Sequence, residues 1–303
     1  MRIAIYYDKR ISGGRDDGPP LFYIQTLRDL GHTVDMVIPT GDLTLYGKYD
    51  LNLWVDWGES SMLHLIPYPI LDAPHPNVYI ASDTHVDFNY RVNLAKKFDL
   101  VLCNQLRGKE EFESAGIQNV HWHPHAFHSL AYNKGILDKD TGVWKTCAVA
   151  KRNDVCFVGM VRQPERVDFL DAMFKAFPNF FYGQRFFDDA SMVFNESKIV
   201  LNQAYSDDTN MRVFEGMASG SMLLTPRVPH LDKLVTDGVH CVMYDSTEDA
   251  IEKAHFFLAH DEEREKIAKA GYDEVYEKHQ YKHRAEKMLE LFESTVLKKE
   301  VLA

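Results

Sequence analysis

Three polar residues, Asn210, Arg212 and Glu215, stand at the start of a segment that is predicted to be helical from Asn210 or Met211 to Gly220. Asn210 and Glu215 are five residues apart, so both can face a ligand held at the N-terminal end of the helix. Free backbone N–H groups and partial positive charge suit this end to a phosphate. A carboxylate one turn further along suits the paired hydroxyls of a ribose. The pattern also fits an ordinary buried helix whose acid caps it or pairs with Arg212.

Two apolar strands, predicted at 199–201 and 221–225, flank this helix in the sequence. A polar loop with two acids, Asp207 and Asp208, joins the first strand to the helix. Gly220 suits the left-handed conformation that commonly ends a helix. The order of strand, loop, helix and strand is the repeating unit of a parallel α/β sheet.

The N-terminal part of the chain shows the same order. An apolar strand at 3–7 leads into a glycine-rich loop, a helix that opens with two prolines, and a second strand. Gly13 and Gly14 in the loop let the backbone approach a phosphate or sugar, although a flexible surface loop explains them equally well.

Apolar strands alternate with helices in two halves of the chain, joined by a polar, weakly periodic segment at 130–153. We therefore predict an α/β protein with two Rossmann-like domains, 1–140 and 141–282, that face each other across a cleft lined by the carboxyl ends of their strands. A last helix in 283–303 is expected to pack back towards the N-terminal domain.

The composition is that of a globular protein, with 303 residues, 45% hydrophobic and 26% charged, and a formal net charge of −11. The acidic balance argues against a general nucleic-acid or anionic-membrane binder. Four scattered cysteines indicate reduced thiols rather than disulfides. Since no apolar stretch has the length of a signal peptide or a membrane span, we predict a cytoplasmic protein without a transmembrane segment.

The C-terminal half resembles the glycosyl-transferase-like domain of the spore-maturation-protein (CgeB-like) group, within the retaining GT-B glycosyltransferases. The matching segments there are VCFVGMVRQPERVDFL, LNQAYSDDTNMRVFEGMASGSMLLT, LVTDGVHCVMY and LAHDEEREKIAKAGYDEVYEKHQYKHRAEKML; in the N-terminal half they are SDTH, AKKFDLVLCNQ, SAGIQNV and HWHPHAF. The resemblance implies the GT-B fold, with a nucleotide-sugar held mainly by the C-terminal domain.

Position by position, the resemblance assigns Glu215 to the ribose hydroxyls. It places Asp207 where the related family has a glutamate that faces the transferred sugar, and Asp207 is the shorter acid. Asn210 and Arg212 match polar residues that contact the diphosphate or sugar. Gly159, like Arg162 beside it, falls in the loop that contacts the donor phosphates. The arginines Arg162 and Arg212 suit a diphosphate because each guanidinium donates two parallel hydrogen bonds.

The transfer itself needs stabilisation of negative charge on the leaving phosphate, which arginines and helix N–H groups supply, so no metal is predicted. An inverting reaction also needs a base, for which Asp83 and His85 at the end of a predicted strand are candidates. Their structural alternative is a capping Asp and a packed His. His121, His123 and His125 alternate at strand period and suggest either a zinc site or histidines lining the cleft.

We therefore predict a glycosyltransferase that moves a sugar from a nucleoside-diphosphate sugar, UDP-sugar favoured, to an acceptor hydroxyl, retaining and metal-independent. The nucleotide-sugar is a substrate, and no cofactor is predicted. The acceptor is a glycan, a small molecule or a modified nucleobase in DNA. Two alternatives are a non-catalytic nucleotide-sugar-binding protein and a sugar-nucleotide epimerase of the same architecture.

Overall fold

The computed structural model describes residues 1–7, 18–38, 49–56, 75–138, 141, 143–161, 164–204 and 208–297. Contacts divide the chain into two compact units. The first contains Met1–Pro124 together with the chain from Tyr281 onward, and the second contains His125–Gln280.

The first unit is built on a six-stranded parallel sheet in the order β2-β1-β3-β4-β5-β6. Its strands are β1 Arg2–Tyr6, β2 Thr33–Val37, β3 Leu51–Val55, β4 Asn77–Ala81, β5 Leu100–Cys103 and β6 Val120–Trp122, and its first helices are α1 Pro19–Asp29, α2 Phe88–Ala95 and α3 Leu106–Ser114. Every residue of β3, β4 and β5 is buried. These strands are buried on both faces, which explains why their sequences are mainly apolar. The two polar exceptions, Asn52 and Asn77, are hydrogen-bonded.

The second unit contains a five-stranded parallel sheet in the order β10-β9-β11-β12-β13, and a two-stranded antiparallel hairpin of β7 and β8. The strands are β7 Ile136–Asp138, β8 Val143–Lys145, β9 Asn153–Val158, β10 Phe180–Gly183, β11 Ser197–Leu201, β12 Met222–Pro226 and β13 Val242–Tyr244. The helices are α4 Pro164–Ala176, α5 Phe187–Asn195, α6 Met211–Ala218, α7 Thr247–Ala259 and α8 Asp261–Lys278.

Helix α6 packs tightly on the sheet of the second unit. A side chain added at Gly216 would place its Cβ 3.0 Å from Cγ1 of Val200 and 3.2 Å from Cδ1 of Leu223, so a glycine permits this close approach. Gly220, at a φ of +71°, follows the last turn and its N–H donates to the carbonyl of Met217. This is the C-terminal glycine cap that the sequence predicts.

The last helix, α9 Tyr281–Phe292, belongs to the first unit and is followed by a π-helical turn at Glu293–Leu297. It packs on α1, where the ring of Tyr281 lies 5.1 Å from that of Phe22 and 5.2 Å from that of Tyr23. Nε of Arg284 donates to the carbonyl of Pro124 at 2.7 Å.

The predicted fold class of two parallel-sheet α/β halves is confirmed. The polar segment expected to link them contains the β7–β8 hairpin. The expectation that His121, His123 and His125 share a strand face is wrong, because β6 ends at Trp122. The domain bounds at 140 and 282 stay a prediction.

Across the described residues, none of the helices combines the length and the apolar content that crossing a bilayer requires.

Candidate functional site

The candidate site lies at the carboxyl edge of the sheet in the second unit. Gly159 directly follows β9, and Asn202 directly follows the neighbouring strand β11. Helix α6 begins after Asn210, which is its N-cap residue. Because adjacent parallel strands end at the same edge, these positions converge where α/β sheets bind ligands.

Asn202 connects the elements of this site. Its fully buried side chain accepts hydrogen bonds at Oδ1 from Nδ2 of Asn210 at 3.1 Å and from Nη1 of Arg212 at 3.0 Å. Its own Nδ2 donates to Oγ1 of Thr225 at 3.0 Å. One buried amide therefore fixes the start of α6 against β11 and β12.

The guanidinium of Arg212 is held over an aromatic ring. It lies 4.7 Å from the ring centroid of Phe157, a fully buried residue of β9. Arg166 of α4 lies 5.8 Å from the same centroid and donates to the carbonyl of Gln203 at 2.8 Å. Burial lowers the pKa of Arg212 to about 10, and Arg166 acts in the same direction. Two guanidinium groups thus give this edge of the sheet a positive charge.

Gly159 provides the space that Arg212 occupies. A Cβ at this position would collide with the guanidinium of Arg212. The structure therefore brings together two of the residues that the sequence assigns to phosphate binding, and it gives the glycine a definite role: no larger residue leaves the guanidinium in place.

Glu215 lies one turn into α6 and is half-buried. Burial raises the pKa of Glu215 to about 7, while the positive charge of Arg212 and the nearby hydroxyl of Tyr132 act to lower it. Removing a carboxylate from water disfavours its charged form, and here that cost exceeds the attraction of the nearby guanidinium. Glu215 can therefore change its charge near neutral pH.

The side chain of Asn210, the N-cap residue of α6, does not cap the helix. Asn210 has the extended backbone of an N-cap residue, but its side chain donates to Asn202 instead of accepting from the first turn. Oδ1 of Asn210 is buried and has no hydrogen-bond partner in the described part of the chain. Buried polar atoms are normally paired, so this oxygen suits a donor group on a ligand.

Asp83 and His85 lie in the turn after β4 and belong to the first unit. Asp83 is half-buried and has a left-handed φ of +43°, and His85 is exposed. The carbonyl of Val86 in the same turn accepts from Nε of Arg91 at 2.7 Å. The role of base that the sequence suggests for these two residues stays a prediction.

Four predicted site residues lie outside the described part of the chain. They are the glycines of the first loop, the arginine after β9 and the acid before α6: Gly13, Gly14, Arg162 and Asp207.

The histidine-rich segment is built differently from the zinc site that its pattern suggests. His123 is buried, and its Nε2 lies 2.7 Å from the hydroxyl of Tyr23 on α1. In the described ranges, no three side chains of His, Cys, Asp or Glu come together in a way that could hold a metal ion.

Sequence reasoning missed Asn202 and Tyr132. A polar residue directly after the apolar run of β11 is a recognisable signal for Asn202, because side chains at strand ends line such sites. Tyr132 falls in the segment interpreted as a linker, and no local pattern connects it to Glu215.

Residues 162–290 match the family model described as Glycosyl transferase-like. This match covers α4 to most of α9, including all of α6. A search of curated protein sequences found no match.

Solved structures resemble the whole chain at low sequence identity. The structure of Anabaena HepE in complex with UDP and glucose matches with a TM-score of 0.70 and 15% identity, covering 97% of this chain and 100% of HepE. Sucrose-phosphate synthase from Thermosynechococcus elongatus matches with a TM-score of 0.65 and 11% identity, covering 97% and 98% of the two chains. An alpha-glucosyltransferase in complex with UDP and a 13-mer DNA matches with a TM-score of 0.62 and 10% identity, covering 96% and 99%. These likenesses establish the GT-B glycosyltransferase fold.

Proposed function

We propose that this protein is a glycosyltransferase that uses a nucleoside-diphosphate sugar as donor and binds its nucleotide in the second unit. The observation that carries the proposal is the cluster of Gly159, Asn210, Arg212 and Glu215 at the carboxyl edge of a parallel sheet. It combines a positive group for phosphates with a carboxylate for hydroxyls, and three of its four members lie within the glycosyl-transferase-like segment.

A uridine nucleotide is the favoured donor moiety. The HepE and alpha-glucosyltransferase structures that share this fold are complexes with UDP. In our assignment Glu215 accepts hydrogen bonds from the ribose hydroxyls, and Arg212 faces the diphosphate together with the N-terminal end of α6.

The residues of this edge support stabilisation of the leaving group by fixed charges. When the sugar leaves, negative charge develops on the diphosphate, and a guanidinium already held in place by Asn202 stabilises it without rearrangement. We assign the protein to the retaining, metal-independent type that its sequence resembles, near the spore-maturation-protein group. Asp83 and His85 are the proposed groups on the acceptor side.

Glu215→Ala tests the donor site. We expect the variant to keep its fold, because Glu215 is half-buried on the surface of α6, and to lose binding of UDP in isothermal titration calorimetry. Circular dichroism and the melting temperature serve as controls for the fold. An unchanged affinity for UDP would contradict the assignment.

A panel of nucleotide-sugars tests the reaction, with release of the nucleoside diphosphate as the readout. A glycosyltransferase releases the diphosphate when an acceptor is present and, more slowly, by hydrolysis. A protein that binds UDP but releases none from any donor and acceptor pair is a non-catalytic binder. Conversion of the donor sugar without any acceptor identifies an epimerase.

A further inference from the structure

The guanidinium of Arg212 is held by neutral groups. Its hydrogen-bond acceptor is Oδ1 of Asn202, and it lies over the ring of Phe157. Resting on the proposed function, we propose that Asn202 is a positioning residue for binding of the diphosphate. Its amide fixes the guanidinium without neutralising it, so that the positive charge stays available for the donor.

Other buried arginines of this protein are held differently. Arg91 and Arg264 are almost fully buried, and each forms an ion pair with an aspartate. Within the described residues Arg212 forms no such pair, although the charge of Glu215 attracts it without that contact. Charges removed from water are normally paired in proteins. The negative charge of a ligand explains why Arg212 is given a neutral acceptor instead.

The hydrogen bonds of this cluster fix which way the amide of Asn202 faces. A guanidinium carries donors only, so the atom 3.0 Å from Nη1 of Arg212 is the amide oxygen, Oδ1. The same oxygen accepts from Nδ2 of Asn210 at 3.1 Å. The amide nitrogen donates to Oγ1 of Thr225 at 3.0 Å. A reversed amide would set its NH2 group against the guanidinium, so only the observed orientation suits Arg212.

The backbone of Asn202 is fixed as well. This residue directly follows β11 and is fully buried. Its N–H donates to the carbonyl of Leu224 at 2.8 Å, and its carbonyl accepts from the hydroxyl of Tyr244 at 2.7 Å. These contacts join it to β12 and β13, the next two strands of the sheet. An acceptor on such a support keeps its place when a ligand arrives.

The hydrogen bond to Asn202 leaves donors of Arg212 for a ligand. A guanidinium has five N–H groups, and among the described residues this bond engages one of them. Two parallel N–H groups of a guanidinium can bind two phosphate oxygens at once. A carboxylate in place of the amide would also hold the guanidinium, but its negative charge would repel the phosphates. The neutral amide therefore suits an arginine whose charged partner is the ligand.

Asn202→Asp tests the proposal, because it adds a negative charge and keeps the shape of the side chain. We expect the Kd for UDP, measured by calorimetry, to rise about tenfold or more, since the new carboxylate offsets the charge of Arg212 and repels the diphosphate. The melting temperature without ligand should stay close to that of the wild type. The carboxylate keeps both hydrogen bonds at Oδ1, and the hydroxyl of Thr225 can turn to donate to it. A residue that only supports the fold would not separate affinity from stability in this way.

Asn93→Asp is the matched control. Oδ1 of Asn93 accepts from Nζ of Lys96 at 3.4 Å on the exposed surface of the first unit. This exchange again puts a carboxylate beside a cation and changes the net charge by the same amount. We expect it to leave the Kd for UDP unchanged.

Thr225→Val is a second variant, and it adds no charge. It keeps the shape of the side chain and removes the oxygen to which Nδ2 of Asn202 donates. We expect the less firmly held amide to raise the Kd for UDP about threefold, the effect of one neutral hydrogen bond.

An unchanged Kd in Asn202→Asp or in Thr225→Val would overturn the positioning role, and so would equal losses in Asn202→Asp and Asn93→Asp. A melting temperature that falls together with the affinity in Asn202→Asp would also overturn it, because the amide would then serve the fold. If the wild type fails to bind UDP, the proposed function itself falls. If the wild type binds UDP and Glu215→Ala does not, while Asn202→Asp binds normally, only the role of Asn202 falls.

Discussion

At the scale of single residues, burial controls the charge of Glu215, the acid that we propose binds the ribose hydroxyls. Burial raises the pKa of this acid to about 7, in spite of Arg212 beside it. Partial burial removes much of the water around this carboxylate, so a hydrogen bond that it accepts is stronger than one on the fully exposed surface. Under the proposed function, the affinity for the nucleotide therefore depends on the charge state of Glu215.

We predict that the affinity for UDP-glucose rises between pH 6 and pH 8. Below the pKa of about 7, Glu215 is mostly protonated and loses acceptor capacity; above it, the carboxylate is available. UDP-glucose is used because its diphosphate does not titrate in this range. Calorimetry across the range measures the effect, and Glu215→Gln, which cannot titrate, should show a flat profile. A wild-type profile as flat as that of the variant would contradict the prediction.

Gly159→Ala should weaken nucleotide binding while leaving the fold almost unchanged. The new Cβ would meet the guanidinium of Arg212, which would have to leave its bond to Asn202. A displaced guanidinium no longer makes its charge-assisted hydrogen bond to the diphosphate. We expect this loss to raise the Kd for UDP about tenfold or more.

Gly183→Ala is the matched control for this change. Gly183 ends β10, the strand next to β9, and a Cβ there would have no neighbour nearer than 3.7 Å. We expect normal UDP affinity in this variant. An equal loss of binding in both variants would show that backbone effects, and not the displacement of Arg212, are responsible.

At the scale of elements, the first unit contains a buried ion pair of Arg91 on α2 with Asp56, the residue that follows β3. Tyr79 of β4 donates to Oδ2 of Asp56 at 2.7 Å, and burial lowers the pKa of Arg91 to about 10. Because Arg91 also donates to the carbonyl of Val86, this network supports the turn that carries Asp83.

We predict that Asp56→Ala destabilises the protein by about 3–5 kcal/mol, because it leaves the charge of Arg91 buried without its partner. The double variant Asp56→Ala with Arg91→Met should recover much of that loss. Urea unfolding monitored by circular dichroism measures both. Asp171→Ala, which breaks an exposed pair with Lys175, should change stability by less than about 0.5 kcal/mol. Equal effects of the buried and exposed changes would argue against the network.

Most elements were predictable because their patterns are local. Helix α6 is bounded by Asn210 and Gly220, whose residue types mark helix ends, and most of the parallel strands contain a short apolar run. The β7–β8 hairpin was not predicted, because its three-residue strands are too short to show a period. The alternation of His121, His123 and His125 gave a wrong prediction for a related reason. A period of two does not indicate where a strand ends, and β6 ends at Trp122.

The candidate site was predictable only where its members share one segment. Asn210, Arg212 and Glu215 are close in sequence, and their placement on α6 follows from the helical pattern. The contacts that fix the side chains of Asn210 and Arg212 come from elsewhere: Asn202 follows β11, and Phe157 belongs to β9. Such contacts depend on tertiary packing, which spacing along the chain does not encode.

At the scale of the whole molecule, the net charge of the chain helps to decide between DNA and other classes of acceptor. The chain has 45 acidic and 34 basic residues, a formal net charge of −11. Non-specific binding to duplex DNA depends on lysines and arginines that neutralise phosphates and release counterions. A protein with this excess of acids approaches DNA against electrostatic repulsion, unless a basic groove offsets it locally.

We therefore predict that the Kd for unmodified duplex DNA at 0.15 M salt is higher than about 10 µM. This value is the middle of the range of Kd that non-specific binders show. Fluorescence anisotropy of a labelled duplex measures this, and repeating it at 0.05 M salt gives the salt dependence. Binding near 1 µM with a steep salt dependence would reveal a basic groove and favour a nucleobase acceptor. An absence of such binding favours a glycan or a small molecule as the acceptor, because neither requires a surface that neutralises a phosphate backbone.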